Sequence, residues 1–82
     1  MSKFTGTKQQ KVFQDLLREL RIEAGFTQVT LAEVLGRPQS YVSKYESGER
    51  TLNFLEVLYL CELFGVTVSE FSKKLSKRLN ES

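Results

Sequence analysis

Residues 28–48 read QVTLAEVLGRPQSYVSKYESG, and this stretch decides the fold. It holds two short helical patterns separated by Gly36-Arg37-Pro38. In the first, over 28–35, Leu31, Ala32 and Leu35 recur at helical spacing and give one inward face. Thr27, just before it, carries the short side-chain oxygen that an N-cap requires. Gly36 can take the left-handed backbone that a tight turn demands. Pro38 cannot sit inside a helix but fits its first turn. The second helix therefore starts near Pro38 or Gln39 and runs to Ser47, with Gly48 closing it. Two short helices joined by a glycine-containing turn make a rigid unit whose second helix projects outward.

In that second helix Val42 and Tyr45 lie three apart and are expected to pack inward. Gln39, Ser40, Ser43, Lys44 and Ser47 fall on the other side, a polar face free of acidic groups. Glutamine can pair in bidentate fashion with adenine, serine can meet either partner of a base pair, and lysine favours guanine or phosphate. An enzyme site would instead need a base, a nucleophile or a set of metal ligands. None is assembled here, so neither an enzyme nor a cofactor is expected, and double-stranded DNA is the expected partner.

The rest of the chain supplies helices around this unit. A first helix over 10–24 carries Phe13, Leu16, Leu17, Leu20 and Ala24 at helical spacing, and Gly25 stops it. A fourth helix over 52–64, starting from Thr51 or Asn53, is apolar nearly all round and ends at Gly65. A fifth, capped by Ser69, has Phe71, Leu75 and Leu79 on one stripe and Lys73, Lys74, Lys77 and Arg78 on the other face. That basic face reads as a solvated surface, or as added DNA contact if a dimer brings it near the backbone. Residues 1–9, MSKFTGTKQ, read as a flexible N-terminal arm. It is either a frayed terminus or a segment that follows the DNA backbone through Lys3 and Lys8. The fold class is all-α, with five helices and short loops.

Composition narrows the function. The 82 residues suit one domain of ordinary globular balance, 40% hydrophobic and 27% charged. One Cys and no His exclude an internal disulfide and a Cys/His zinc site. Cys61 lies in an apolar run and reads as core filler. No signal-like or membrane-spanning stretch stands out, so a cytoplasmic protein is expected. The formal net charge is only +2, so any DNA-binding charge must be local.

The segment RIEAGFTQVTLAEVLGRPQSYVSKYESGER, with the apolar helix and Leu63-Phe64-Gly65-Val66 after it, resembles the Cro/phage-repressor family. This family is also called XRE-like, and it includes restriction-modification controller proteins and some antitoxins. The resemblance covers about residues 12 to 72. It rests on Arg21, Gly25, Thr27-Gln28, Leu31-Ala32, Gly36, Ser40, Val42, Ser43, Glu46, Gly48 and Phe64-Gly65-Val66 in order. It implies a lambda-repressor-like domain whose second motif helix enters the major groove. By the same resemblance Gln28 would meet a phosphate at a helix start. Gln39, Ser40 and Lys44 would face the groove, with Ser43 on the same face touching a base or a phosphate. Arg21 and Glu46 match a family pair that ties the first helix to the third. Arg37 and Arg50 are candidates for phosphate contact against plain solvation. Tyr41 either lies across the second helix or reaches a phosphate. Two departures stand out. Glu49 would be repelled by a nearby phosphate, and Pro38 removes an amide that could have served one.

The fourth helix has more apolar surface than one small core needs. Leu55, Leu58, Tyr59 and Glu62 cannot all face inward together with Val57, Leu60, Cys61 and Phe64. An uncovered apolar patch usually marks an interface, so a two-fold homodimer is expected through the region of the fourth and fifth helices. The reading is thus a transcriptional regulator on a near-palindromic operator. With no ligand-binding domain after the motif, control is expected from concentration, a partner chain or proteolysis. The alternative is an antitoxin that neutralises a partner protein and binds DNA secondarily. The three residues after Leu79 offer little tail to wrap such a partner.

Overall fold

The computed structural model describes residues 7–81. They form five helices: α1 (Thr7–Glu23), α2 (Gln28–Leu35), α3 (Gln39–Ser47), α4 (Phe54–Phe64) and α5 (Val68–Glu81). There is no strand among the described residues.

α1 begins three residues earlier than the apolar period indicates, so Thr7, Lys8 and Gln9 belong to a helix and not to an arm. Lys8 and Gln9 are exposed, and a solvated helical turn leaves no hydrophobic trace in a sequence. The remainder of the expected arm, residues 1–6 with Lys3, lies outside the described residues. α2 is capped reciprocally. The Thr27 hydroxyl accepts the Thr30 amide at 3.0 Å, and the Thr30 hydroxyl accepts the Thr27 amide at 2.8 Å. Pro38 sits at the N-cap of α3 and offers no side-chain cap. Between them Gly36 takes φ +69°, which lets the chain turn within three residues.

Of the two expected starts of α4, Thr51 and Asn53, it is Asn53 that caps the helix: Asn53 and Glu56 close a capping box and the helix runs from Phe54. Such a cap contributes about 1 kcal/mol. α5 corrects the expected start. Its cap is Thr67 and not Ser69, since Thr67 Oγ1 accepts the Glu70 amide at 3.0 Å and Glu70 accepts the Thr67 amide at 2.8 Å. Thr67-x-x-Glu70 is the spacing that lets each side chain reach the other's backbone.

Leu16, Leu17 and Leu20 of α1 meet Leu31 and Ala32 of α2, Val42 and Tyr45 of α3, and Leu60, Cys61 and Phe64 of α4 in one buried core. Phe71 of α5 closes it edge-on against Phe13, with ring centroids 6.1 Å apart. Burial raises the pKa of the Cys61 thiol, which keeps it in the unreactive protonated form. α3 packs against both α2 and α1 through its buried Val42 and Tyr45, and most of its polar face is left to solvent. Among the described residues no helix is long and apolar enough to cross a membrane.

Candidate nucleic-acid interface

The pose of α3 is set first by a buried ion pair. Arg21 Nε donates to Glu46 Oε2 at 2.7 Å, and Arg21 Nη2 donates to Glu46 Oε1 at 3.1 Å. The two side chains are only 8% and 5% exposed. The third guanidinium nitrogen, Nη1, donates to the Phe26 carbonyl at 2.8 Å, where the chain turns from α1 to α2. One arginine thus ties α1, the first turn and α3 together. Its planar fork matches the carboxylate in a way that a lysine could not.

Two glutamines continue this arrangement to the surface. Gln28 Nε2 donates to Glu46 Oε1 at 3.0 Å, and Gln39 Nε2 donates to Gln28 Oε1 at 3.3 Å. The direction of the chain follows from charge. A carboxylate can only accept, so Gln28 must turn its amide NH2 toward Glu46 and its oxygen outward. That oxygen then takes one N–H of Gln39. Gln39 is left with its own oxygen and a second N–H, both facing solvent.

Gln28, Gln39, Ser43 and Ser47 come together on one concave surface, bounded by Arg18 and Ile22 of α1 and Val29 of α2. Ser40 and Lys44 stand exposed on α3, while Ser43 and Gln28 are half-buried. The Ser47 hydroxyl donates to the Lys44 carbonyl at 3.1 Å. Arg18, Ile22 and Val29 were not among the residues singled out from the sequence. Arg18 precedes Arg21 by one helical turn, and that spacing was the available signal.

Arg37 and Arg50 lie elsewhere. Their guanidinium carbons sit 4.9 Å and 4.7 Å from the Tyr41 ring centroid. Arg50 Nη2 and the Tyr41 hydroxyl both donate to Glu56 Oε2, at 2.8 and 2.9 Å. The other oxygen, Glu56 Oε1, takes the Asn53 amide at 2.8 Å. That backbone bond, assisted by Arg50 and Tyr41, holds the Glu56 carboxyl below the ordinary glutamate pKa. Burial and the Glu56 bond push the Tyr41 phenol upward, so it stays protonated and donates. Arg50 therefore fastens the loop after α3 to α4. The Tyr41 hydroxyl is thereby engaged with α4.

On α4, Leu55 is 73% exposed, Tyr59 47% exposed, Leu58 half-buried and Glu62 exposed. Phe54, also absent from the sequence reading of this face, is 65% exposed. On α5 Lys73, Lys74 and Lys77 are exposed, and Arg78 reaches back to pair with Glu19 on α1.

Two short helices at a glycine turn, the second carrying an outward polar face, define a helix-turn-helix protein. The family described as "Helix-turn-helix domain" matches residues 13–72. The XRE-family like protein from Pseudomonas syringae pv. tomato str. DC3000 is 41% identical, with a TM-score of 0.77 over 87% of each chain. This chain belongs to the XRE-like helix-turn-helix family. It is also similar to the "HTH-type transcriptional regulator PrpR" of Mycobacterium tuberculosis, at 40% identity over 63 residues. The "Propionyl-CoA carboxylase regulator" of Cereibacter sphaeroides is 36% identical over 63 residues. Each alignment takes in 77% of this chain but only 13% and 14% of those proteins, so the chain spans a small part of their length.

Proposed function

We propose that this chain is the sequence-reading unit of a transcriptional regulator that binds double-stranded DNA with α3 in the major groove. The observation that carries the reading is the ordered Gln39 amide at the start of α3, oriented through Gln28 by a buried carboxylate. Its free oxygen can accept from adenine N6, and its free N–H can donate to adenine N7. Fixing the amide before binding removes rotamer entropy that the complex would otherwise have to supply. Ser40, Ser43, Lys44 and Ser47 extend the same face toward neighbouring bases and phosphates. Gln28 is then a positioning residue first, and any phosphate contact comes from its backbone amide at the start of α2.

The relatives named as transcriptional regulators support this reading over other uses of the fold. We further propose that two copies act together through α4, where Leu55 and Tyr59 stand uncovered. A two-fold dimer would place its recognition helices about one helical turn apart, roughly 34 Å, on a near-palindromic operator. Occupying that operator excludes polymerase, or recruits it where the bound dimer touches it.

The test is selection from a randomised duplex pool at fixed salt, because phosphate contacts make affinity steeply salt-dependent. Wild type should enrich a near-palindromic site, and a Gln39→Ala/Ser40→Ala/Lys44→Ala variant should lose that preference. Wild type that enriches nothing would remove α3 from the role of base reader and turn attention to a protein partner.

A further inference from the structure

The α4 surface carries more detail than an apolar patch. Leu55 lies three and four residues before Leu58 and Tyr59, which lie four and three before Glu62, so the four form a single stripe along the helix. Beside the N-terminal end of this stripe lies an open hollow between the α2–α3 turn and α4. Arg37, Tyr41, Leu55 and Tyr59 line it, and Leu60 lies at its base.

The charges on this surface do not balance locally. Glu56 lines the same hollow but is already engaged by Arg50, by the Tyr41 hydroxyl and by the Asn53 amide. Arg37 is exposed, stacks on Tyr41, and has no carboxylate partner among the described residues. Glu62, at the other end of the stripe, is exposed and has no cationic partner among the described residues. One end of the apolar stripe thus carries a spare positive charge, and the other a spare negative one.

Two-fold symmetry brings opposite ends together. An isologous contact sets each residue of one copy against its counterpart's neighbour in reverse order. Two α4 helices packed antiparallel, with the axis at Leu58 and Tyr59, set Leu55 of one copy against the partner's Glu62. Arg37 stands beside Leu55. We propose that a second copy of this chain docks antiparallel along α4, with Arg37 of each copy paired to the partner's Glu62 at the rim of the hollow. The apolar stripe supplies the burial, and the two symmetric ion pairs set the register. This takes Arg37 out of the set that meets DNA phosphates. The inference rests on the dimer reading given above.

Sedimentation equilibrium across a concentration series separates the two. Wild type should dimerise, while Arg37→Glu and Glu62→Arg alone should each raise the dimer dissociation constant by at least about tenfold, since each places like charges together twice per dimer. The double variant Arg37→Glu/Glu62→Arg should return to within a few-fold of wild type. Circular dichroism melts confirm that these exposed substitutions leave the fold intact. If wild type dimerises and the single variants dimerise equally well, the register is overturned and the dimer stands. If both singles weaken the dimer and the double fails to recover it, the pairing is overturned. A wild type that stays monomeric throughout overturns the dimer reading itself.

Discussion

α3 and the loop that follows it are each tied down by an arginine–glutamate pair of nearly the same length, and the two pairs are physically different. On the α1 side Arg21 and Glu46 meet at 2.7 Å with their side chains 8% and 5% exposed. On the α4 side Arg50 and Glu56 meet at 2.8 Å with theirs 40% and 21% exposed. Distance does not separate them, but water does. A buried charge that loses its partner has nothing to replace it, whereas an exposed one is taken up by solvent. The first pair fixes where α3 lies and, through Gln28, how Gln39 points. The second fastens the following loop and tolerates disturbance.

The largest effect should come from breaking the buried flank. Arg21→Met leaves the Glu46 carboxylate inside the fold with only Gln28 to donate to it, and should cost about 3–5 kcal/mol. Arg50→Met should cost clearly less, because solvent screens the pair it breaks. Urea unfolding of both variants reads the difference directly. Equal losses would mean that burial does not rank the two flanks. A second substitution, Glu46→Leu in the Arg21→Met background, should recover part of the loss, because it removes the stranded charge.

A smaller contrast lies between the two glycines that end α2 and α3. Both Gly36 and Gly48 hold positive φ, at 69° and 90°, so an L-residue at either costs about 1–2 kcal/mol in backbone strain. Nothing lies within 4 Å of a Cβ placed on Gly36. A Cβ on Gly48 would fall 2.5 Å from Nε2 of Gln14, a residue of α1 that is itself buried. Gly48→Ala should therefore lose about 1 kcal/mol more than Gly36→Ala. Placing both in a Gln14→Ala background should erase the excess. An excess that persists there would locate the strain in the backbone alone.

These contrasts also mark what a linear reading could reach. The ends of α2 and α3 were legible because Thr27, Gly36, Pro38 and Gly48 act locally, on the backbone beside them. The Thr67–Glu70 box was equally local, yet Ser69 drew the cap because it too has a hydroxyl. The Glu46–Gln28–Gln39 chain was not legible from spacing. Its members are separated by 18 and 11 residues, and only the crossing of α2 and α3 brings them together. The same holds for Tyr41 and Arg50, which meet Glu56 across 15 and 6 residues. Phe54 escaped because a helix that is apolar all round has no face to read from its period.

The finest contrast is in response to acid. The bond from the Asn53 amide, with Arg50 and Tyr41 behind it, lowers the folded-state pKa of Glu56. A carboxyl whose folded pKa lies below its unfolded value binds fewer protons when folded. Its contribution to stability is therefore complete above the unfolded value, about 4.3 for glutamate, and is lost as pH falls through the lowered one. Because Glu56 is partly exposed, the contribution should stay below about 1 kcal/mol. Glu56→Gln should melt slightly below wild type at pH 7, and the two curves should converge as the pH drops under about 4. In an Arg50→Met background the same comparison should keep part of this convergence, since the Asn53 amide that lowers the Glu56 pKa most is still in place. If Glu56→Gln instead tracks wild type at every pH, the α4 flank holds its loop through stacking on Tyr41 and the neutral caps. Charge would then matter on the buried flank alone.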